Sequence, residues 1–212
     1  MIEAVLFDMD GTLFDSEKIY ARGWIYAGVP RELYLTFIGR NSDDINKRLI
    51  QNGFDPVPVR KRKDAYTEEH LPRELALKPG AKEALAYLKE HGYKTAIATA
   101  SPLERARNFL AQTDFEGAFD TIVSGKGLKN GKPAPDIFLL TAKELGADPA
   151  RCLVVEDSFN GIRAGHAAGM YTVMIPDQAE PDDEIRSVAS GVLETLCDLP
   201  AFIESLQADQ TL

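Results

Sequence analysis

Ile2-Glu3-Ala4-Val5-Leu6-Phe7-Asp8-Met9-Asp10-Gly11-Thr12 decides how the rest of this chain is read. An apolar run of strand length ends on two carboxylates, Asp8 and Asp10, and then a glycine. Acids held so close repel and raise one another's pKa. A hard divalent cation with oxygen ligands, typically Mg2+, relieves that repulsion and recruits a phosphate as a further ligand. The strand tip therefore reads as a phosphoryl-transfer site. Asp and Gly also favour ordinary turns, so the other strand ends must decide between the two.

Working outward, short apolar runs at 2–7, 94–98, 121–124, 152–155 and 171–175 alternate with helical patterns at 80–91, 103–112, 136–145 and 161–168. Gly92, Gly146 and Gly169 stand where those helices should stop. Such alternation is the mark of βαβ units around a parallel sheet. The expected fold is α/β, a Rossmann-like parallel sheet core with an inserted small helical cap domain. Residues 15–78 carry helical periodicity and no convincing strand, so they form the insertion, and 1–14 plus 79–212 form the core. Helices are expected there at 17–27, 31–38, 42–52 and 57–70, with Ser42 as an N-cap ahead of acidic Asp43 and Asp44. Tyr20, Trp24, Tyr26, Tyr34 and Phe37 read as the core of that insertion. Residues 176–183 read as a polar loop and 208–212 as a frayed tail.

Composition narrows the function classes. At 212 residues and 44% hydrophobic content, the chain can bury one sizeable α/β core plus a smaller appendage. A net charge of -9 disfavours nucleic acid, whose binding needs clustered Lys and Arg. The basic run Arg60-Lys61-Arg62-Lys63 precedes Asp64, Glu68 and Glu69 and reads as a solvated helix face. Cys152 and Cys197 make no CxxC pair, and Cys152 opens an apolar run, so it reads as core packing. His70, His91 and His166 share no metal-ligand spacing. No basic segment precedes a long apolar stretch, and no window approaches the roughly 18 apolar residues of a membrane span. A cytoplasmic monomer with neither nucleic acid nor membrane as partner is expected.

Ligands of open parallel sheets bind beyond the carboxyl ends of the strands. The first expected strand delivers Asp8 and Asp10. After 94–98 come Thr99, Ala100 and Ser101, a hydroxyl and backbone N–H groups just ahead of a helix, which suits a phosphate. Beyond 121–124 a loop leads to Lys132-Pro133-Ala134-Pro135-Asp136, where two prolines hold the backbone around one ammonium. After 152–155 come Glu156 and Asp157. Carboxylate, hydroxyl, ammonium and carboxylate at four strand ends outweigh the reading of each as an ordinary cap or surface charge.

These residues also resemble a known family. Asp8-Met9-Asp10-Gly11-Thr12-Leu13-Phe14-Asp15-Ser16-Glu17, Thr99, Lys132 in Lys-Pro-Ala-Pro-Asp, and Glu156-Asp157 are similar to the four motifs of the haloacid dehalogenase-like hydrolases. Within that family the chain resembles the helical-capped phosphatases and β-phosphoglucomutase-like enzymes, over essentially its whole length. The resemblance implies a Rossmann-like core, a mobile helical cap, Mg2+, and a small phosphorylated metabolite as substrate.

In the expected mechanism Asp8 attacks phosphorus to give an aspartyl-phosphate, and Asp10 protonates the leaving oxygen and later activates water. The acids around the ion are Asp8, Asp10, Glu156 and Asp157, with Glu156 either a ligand or an orienter. Thr99, Ala100, Ser101 and Lys132 face the phosphate. A dehalogenase would have little use for Asp10, and a mere metabolite-binding protein would have no reason to keep the full set. A β-phosphoglucomutase-like mutase is the alternative to a phosphatase. Against it, Tyr20 stands where those enzymes carry a histidine, and Ile38 and Ser42 stand near Gly39 where basic residues are expected. Arg40, Tyr20 and Trp24 are the expected contacts to the leaving group.

Overall fold

Alternation along the opening strand sets the layers. In β1 (Ala4–Phe7) Val5 and Phe7 enter one apolar cluster while Ala4 and Leu6 enter another, as the two-residue period of a strand requires. Leu153 and Val155 against Cys152 and Val154 repeat the split farther along the chain. A strand buried on both faces belongs inside a parallel sheet covered by helices on either side. The structure is a computed structural model that describes residues 1–40, 42–113 and 115–208.

Four helices follow β1: α1 (Glu17–Tyr26), α2 (Arg31–Leu35), α3 (Ser42–Gln51) and α4 (Pro56–Glu74). The chain then alternates through α5 (Ala81–Glu90), β2 (Lys94–Thr99), α6 (Leu103–Gln112), β3 (Thr121–Ser124), α7 (Asp136–Leu145), β4 (Cys152–Glu156), α8 (Phe159–Ala167) and β5 (Tyr171–Met174). It ends with α9 (Asp183–Val188), β6 (Gly191–Val192) and α10 (Leu199–Ala208). All strand pairs are parallel, in the order β3-β2-β1-β4-β5-β6. The α/β parallel-sheet expectation is met. The order reverses direction between β1 and β4, which is where such sheets open a crevice at their carboxyl edge.

Pairing aligns the tips. Phe7 sits opposite Ile97 of β2 and Val155 of β4, so Asp8 emerges level with the ends of both neighbours. The helices α1–α4 gather an apolar cluster of their own around Trp24, Tyr34, Phe37 and Leu49. Two chain segments join them to the sheet side by side: Asp15 N donates to Ala76 O at 2.9 Å and Lys78 N to Leu13 O at 2.8 Å.

Several expectations need correction. Tyr26 is two-thirds exposed at the last turn of α1 and is not core. Lys63 is buried, so the basic run is not one solvated face: α4 turns Val59, Lys63, Thr67 and Leu71 inward at four-residue spacing. Ser42, read as a cap, is the first residue of α3. The segment 176–183 is a loop only as far as Asp182, which caps α9 by accepting from Ile185 N at 2.9 Å. The tail expected over 208–212 lies outside the described residues except for Ala208, the last residue of α10.

Candidate active site

Asp8, at the tip of β1, is buried and accepts a hydrogen bond from Lys132 Nζ at 2.5 Å. The same ammonium donates to Glu156 Oε1 at 2.5 Å and lies 4.9 Å from the Phe138 ring centroid. Glu156 is held from its other side: Oε2 accepts from Asp157 N at 3.1 Å, Ser158 N at 3.0 Å and Ser158 Oγ at 2.9 Å. Ser158 also caps α8 by accepting from Gly161 N at 3.0 Å. The geometry follows from chain turns: β4 ends on an acid, the next helix starts at once, and its cap ties that acid in place.

Asp157 Oδ1 accepts from Thr12 Oγ1 at 3.2 Å, while Oδ2 is buried and has no hydrogen-bond partner among the described residues. Asp8, Glu156 and Asp157 each offer an oxygen within 4.8 Å of the others. Gly11 makes this approach possible. It adopts φ +86°, and a Cβ there would sit 2.3 Å from Asp157 Oδ2.

Electrostatics agree with a cation site. Burial pushes the Asp8 carboxyl up to about 7, opposed by Lys132 and reinforced by Glu156 and Asp10. Burial, Glu156 and Asp8 also raise Asp157. Lys132 is raised by Asp8 and Glu156 despite its burial. Three carboxylates face one ammonium, leaving two negative charges for a cation to match, and an all-oxygen set with an orphaned buried oxygen suits a hard divalent ion.

Asp10 lies apart from that trio. Its Oδ1 accepts from Ser16 Oγ at 2.7 Å and its Oδ2 from Ser101 Oγ at 2.8 Å, so both oxygens are oriented by hydroxyls. Thr99 Oγ1 accepts from Ser101 N at 2.9 Å, which leaves its own proton to donate. Asp8, Asp10, Thr99, Ala100, Ser101, Lys132 and Asp157 line one cavity together with Arg40, whose Nε donates to Thr36 O at 3.0 Å.

The same cavity takes in Glu17, Tyr34, Arg60, Lys63 and Arg105, none of which the sequence reading placed in the site. Glu17 accepts from Tyr34 Oη at 2.5 Å and is pushed up to about 8 by burial and the Asp10 charge. The four-residue spacing from Val59 to Leu71 was a signal that could have put Lys63 on the inner face of α4.

A parallel sheet whose carboxyl edge gathers carboxylates, a hydroxyl and a buried lysine has the groups a phosphoryl-transfer enzyme needs. The haloacid dehalogenase-like hydrolase model matches residues 2–169, and the chain belongs to that family. Hexitol phosphatase B of Escherichia coli is 32% identical over 213 residues, 94% of this chain and 95% of the relative. A phosphorylated carbohydrates phosphatase of Thermotoga maritima is 32% identical over 187 residues, 81% of this chain and 84% of its own length. The crystal structure of CbbY from Rhodobacter sphaeroides in complex with phosphate aligns with a TM-score of 0.79 at 29% identity, covering 94% and 96% of the two chains. Among the described residues, no helix is long and apolar enough to cross a membrane.

Proposed function

We propose that this hydrolase is a Mg2+-dependent phosphatase of a small sugar phosphate or similar metabolite, working through an aspartyl-phosphate. One observation carries the reading: Asp8 and Asp157, from the tips of adjacent strands, offer oxygens to one ligand sphere beside Lys132. Phosphatases of phosphorylated carbohydrates among the relatives support the substrate class.

Asp8, Asp157 and Glu156, the last more engaged with Lys132 and Ser158, would hold the ion. When bound, Mg2+ neutralises these carboxylates and polarises a phosphoryl oxygen. Asp8 attacks phosphorus and the ester P–O bond breaks, its electron pair leaving on the alcohol oxygen. Asp10 supplies the proton to that oxygen. It then takes a proton from water, which hydrolyses the aspartyl-phosphate to inorganic phosphate and frees Asp8. Lys132, the Thr99 hydroxyl and N–H groups of the Ala100–Ser101 turn balance charge on the phosphoryl oxygens.

Residues 15–78 act as a cap over the core 1–14 plus 79–212, with Arg40, Tyr20 and Trp24 facing the leaving group. Asn160 Nδ2 donating to Ile38 O at 3.0 Å ties the two parts together beside the site. A closed cap excludes water from the first step.

A panel of sugar phosphates, nucleotides and small phosphate esters tests the reading, scored for free phosphate and for isomers. Phosphate release in Mg2+ that stops in EDTA is expected. Isomer interconversion without phosphate release would make the protein a mutase, and no turnover of any ester would remove the hydrolase reading.

A further inference from the structure

The helices α1–α4 roof the cavity, and one turn of that roof rests on the acids and lysine of the sheet edge beneath it. The turn follows α2. Phe37 packs edge to face against Trp24 with ring centroids 5.2 Å apart, and Ile38 packs against the same apolar cluster, so the turn belongs to the four helices. Its outward carbonyl belongs to the core: Ile38 O accepts from Asn160 Nδ2, in the first turn of α8, at 3.0 Å.

An asparagine near a helix start ordinarily turns its side chain back onto its own backbone N–H groups. Ser158 already fills that role by accepting from Gly161 N at 3.0 Å, which leaves the Asn160 amide to reach outward. Asn160 is buried, and a buried amide deprived of its acceptor is costly. The grip on Ile38 therefore belongs to the closed arrangement of the two parts. Asn160 is not among the described residues that line the cavity, whereas Ser158 is.

Gly39 makes the second contact. At φ +69° it brings its backbone against Ser158, where a Cβ would lie 2.6 Å from Oγ and 3.3 Å from Asn160 Cβ. That Ser158 hydroxyl donates to Glu156 Oε2 at 2.9 Å, Glu156 Oε1 takes Lys132 Nζ, and Lys132 meets Asp8. Touching groups thus run unbroken from the turn after α2 to the nucleophile.

We propose that Asn160 is a positioning residue: its grip on Ile38 O seats Gly39 on Ser158, and that seating fixes the Glu156 carboxyl that aims Lys132 at Asp8. Docking of the cap and alignment of the lysine are then one event. This rests on the phosphatase reading and adds to it a residue that acts through others.

The test begins with Asn160→Ala on the ester that the wild type turns over fastest in Mg2+. Its kcat should fall by about tenfold, the factor one lost hydrogen bond supplies, with KM within about twofold. Gly39→Ala pushes the turn off Ser158 from the other side and should give a loss of the same order. Because both release one seating, the double variant should be no more than about threefold worse than the poorer single variant. Losses that multiply, or a raised KM with kcat unchanged, overturn the proposal.

Hydrogen exchange reads the seating without turnover. With Mg2+ and beryllium fluoride, a mimic of a phosphoryl group on a carboxylate, the amides of Phe37 and Arg40 should exchange about tenfold faster in Asn160→Ala than in wild type; these two bond to Tyr34 O and Phe37 O. Protection of β1 should be unchanged. Equal exchange at Phe37 and Arg40, or faster exchange spread through the sheet, sinks the positioning role. Absence of turnover by the wild type would sink the phosphatase reading instead.

Discussion

Lys132 Nζ lies 2.5 Å from Asp8 Oδ1, although the two residues stand 124 positions apart in the chain. The same nitrogen meets Glu156, so one ammonium serves two buried acids. Removing it leaves both carboxylates in a low-dielectric pocket. Lys132→Ala should cost about 3–5 kcal/mol of stability, the usual loss when one partner of a buried pair is deleted. The loss should shrink at pH 5. Asp8 already stands at about 7 with the lysine present, and without it would rise further and take up a proton. Urea unfolding at pH 5 and 7.5 reads both; a loss below about 1 kcal/mol at the higher pH contradicts the pairing.

Asp8→Asn should lower turnover by about 10^4-fold or more with circular dichroism unchanged, as deletion of a nucleophile does elsewhere. Asp10→Asn should lower it by about 10^2–10^4-fold, the contribution of a positioned acid and base. Phosphate release by either variant at near wild-type rate would end that residue's assignment.

Gly161 sits so close to Glu156 that a Cβ would lie 1.8 Å from Glu156 Cδ. Gly161→Ala therefore must move either α8 or the carboxyl that Lys132 holds. A loss of about 1–3 kcal/mol is expected from such overpacking, at about 2–4 °C of melting temperature per kcal/mol. Activity should fall with it, and an unshifted melt would show the helix free to adjust.

Glu17 holds its proton far above the ordinary range, from 4.5 up to about 8, chiefly through burial. The unfolded chain releases that proton near 4.5, so between there and about 8 the folded state binds more protons and wild-type stability from this group falls as pH rises. Glu17→Gln keeps an acceptor for the Tyr34 hydroxyl and has nothing to titrate. In EDTA, the melting advantage of the variant over wild type should grow across that window by an amount on the order of a few kcal/mol. A difference that stays flat with pH would show that Glu17 titrates normally.

Much of the site could be read from the chain because its strand tips are written locally. An apolar run followed by Asp8, another by Thr99 and another by Glu156-Asp157 needs no knowledge of neighbours to be placed at a sheet edge. The trio of acids at the tips of β1 and β4 was legible for that reason. Asp10, expected in the metal set, has its two carboxylate oxygens held by Ser16 and Ser101, a side-chain direction that spacing does not encode. The short β6, paired to β5 over two residues, and the six-residue α9 went unread because their patterns are brief; the ten-residue α10 also went unread.

Residues 2–12 and the later strand ends were enough, unaided, to establish the sheet, the carboxylates and the lysine, because hydrophobic periodicity and motif spacing are properties of contiguous chain. The roof of the cavity was decided only in three dimensions. Lys63 and Arg105 look like surface charges in the sequence and Glu17 like no more than the end of the first motif; what places them in the cavity is the packing of α4, α6 and α1 around Tyr20, which strips water from groups that ordinarily keep it.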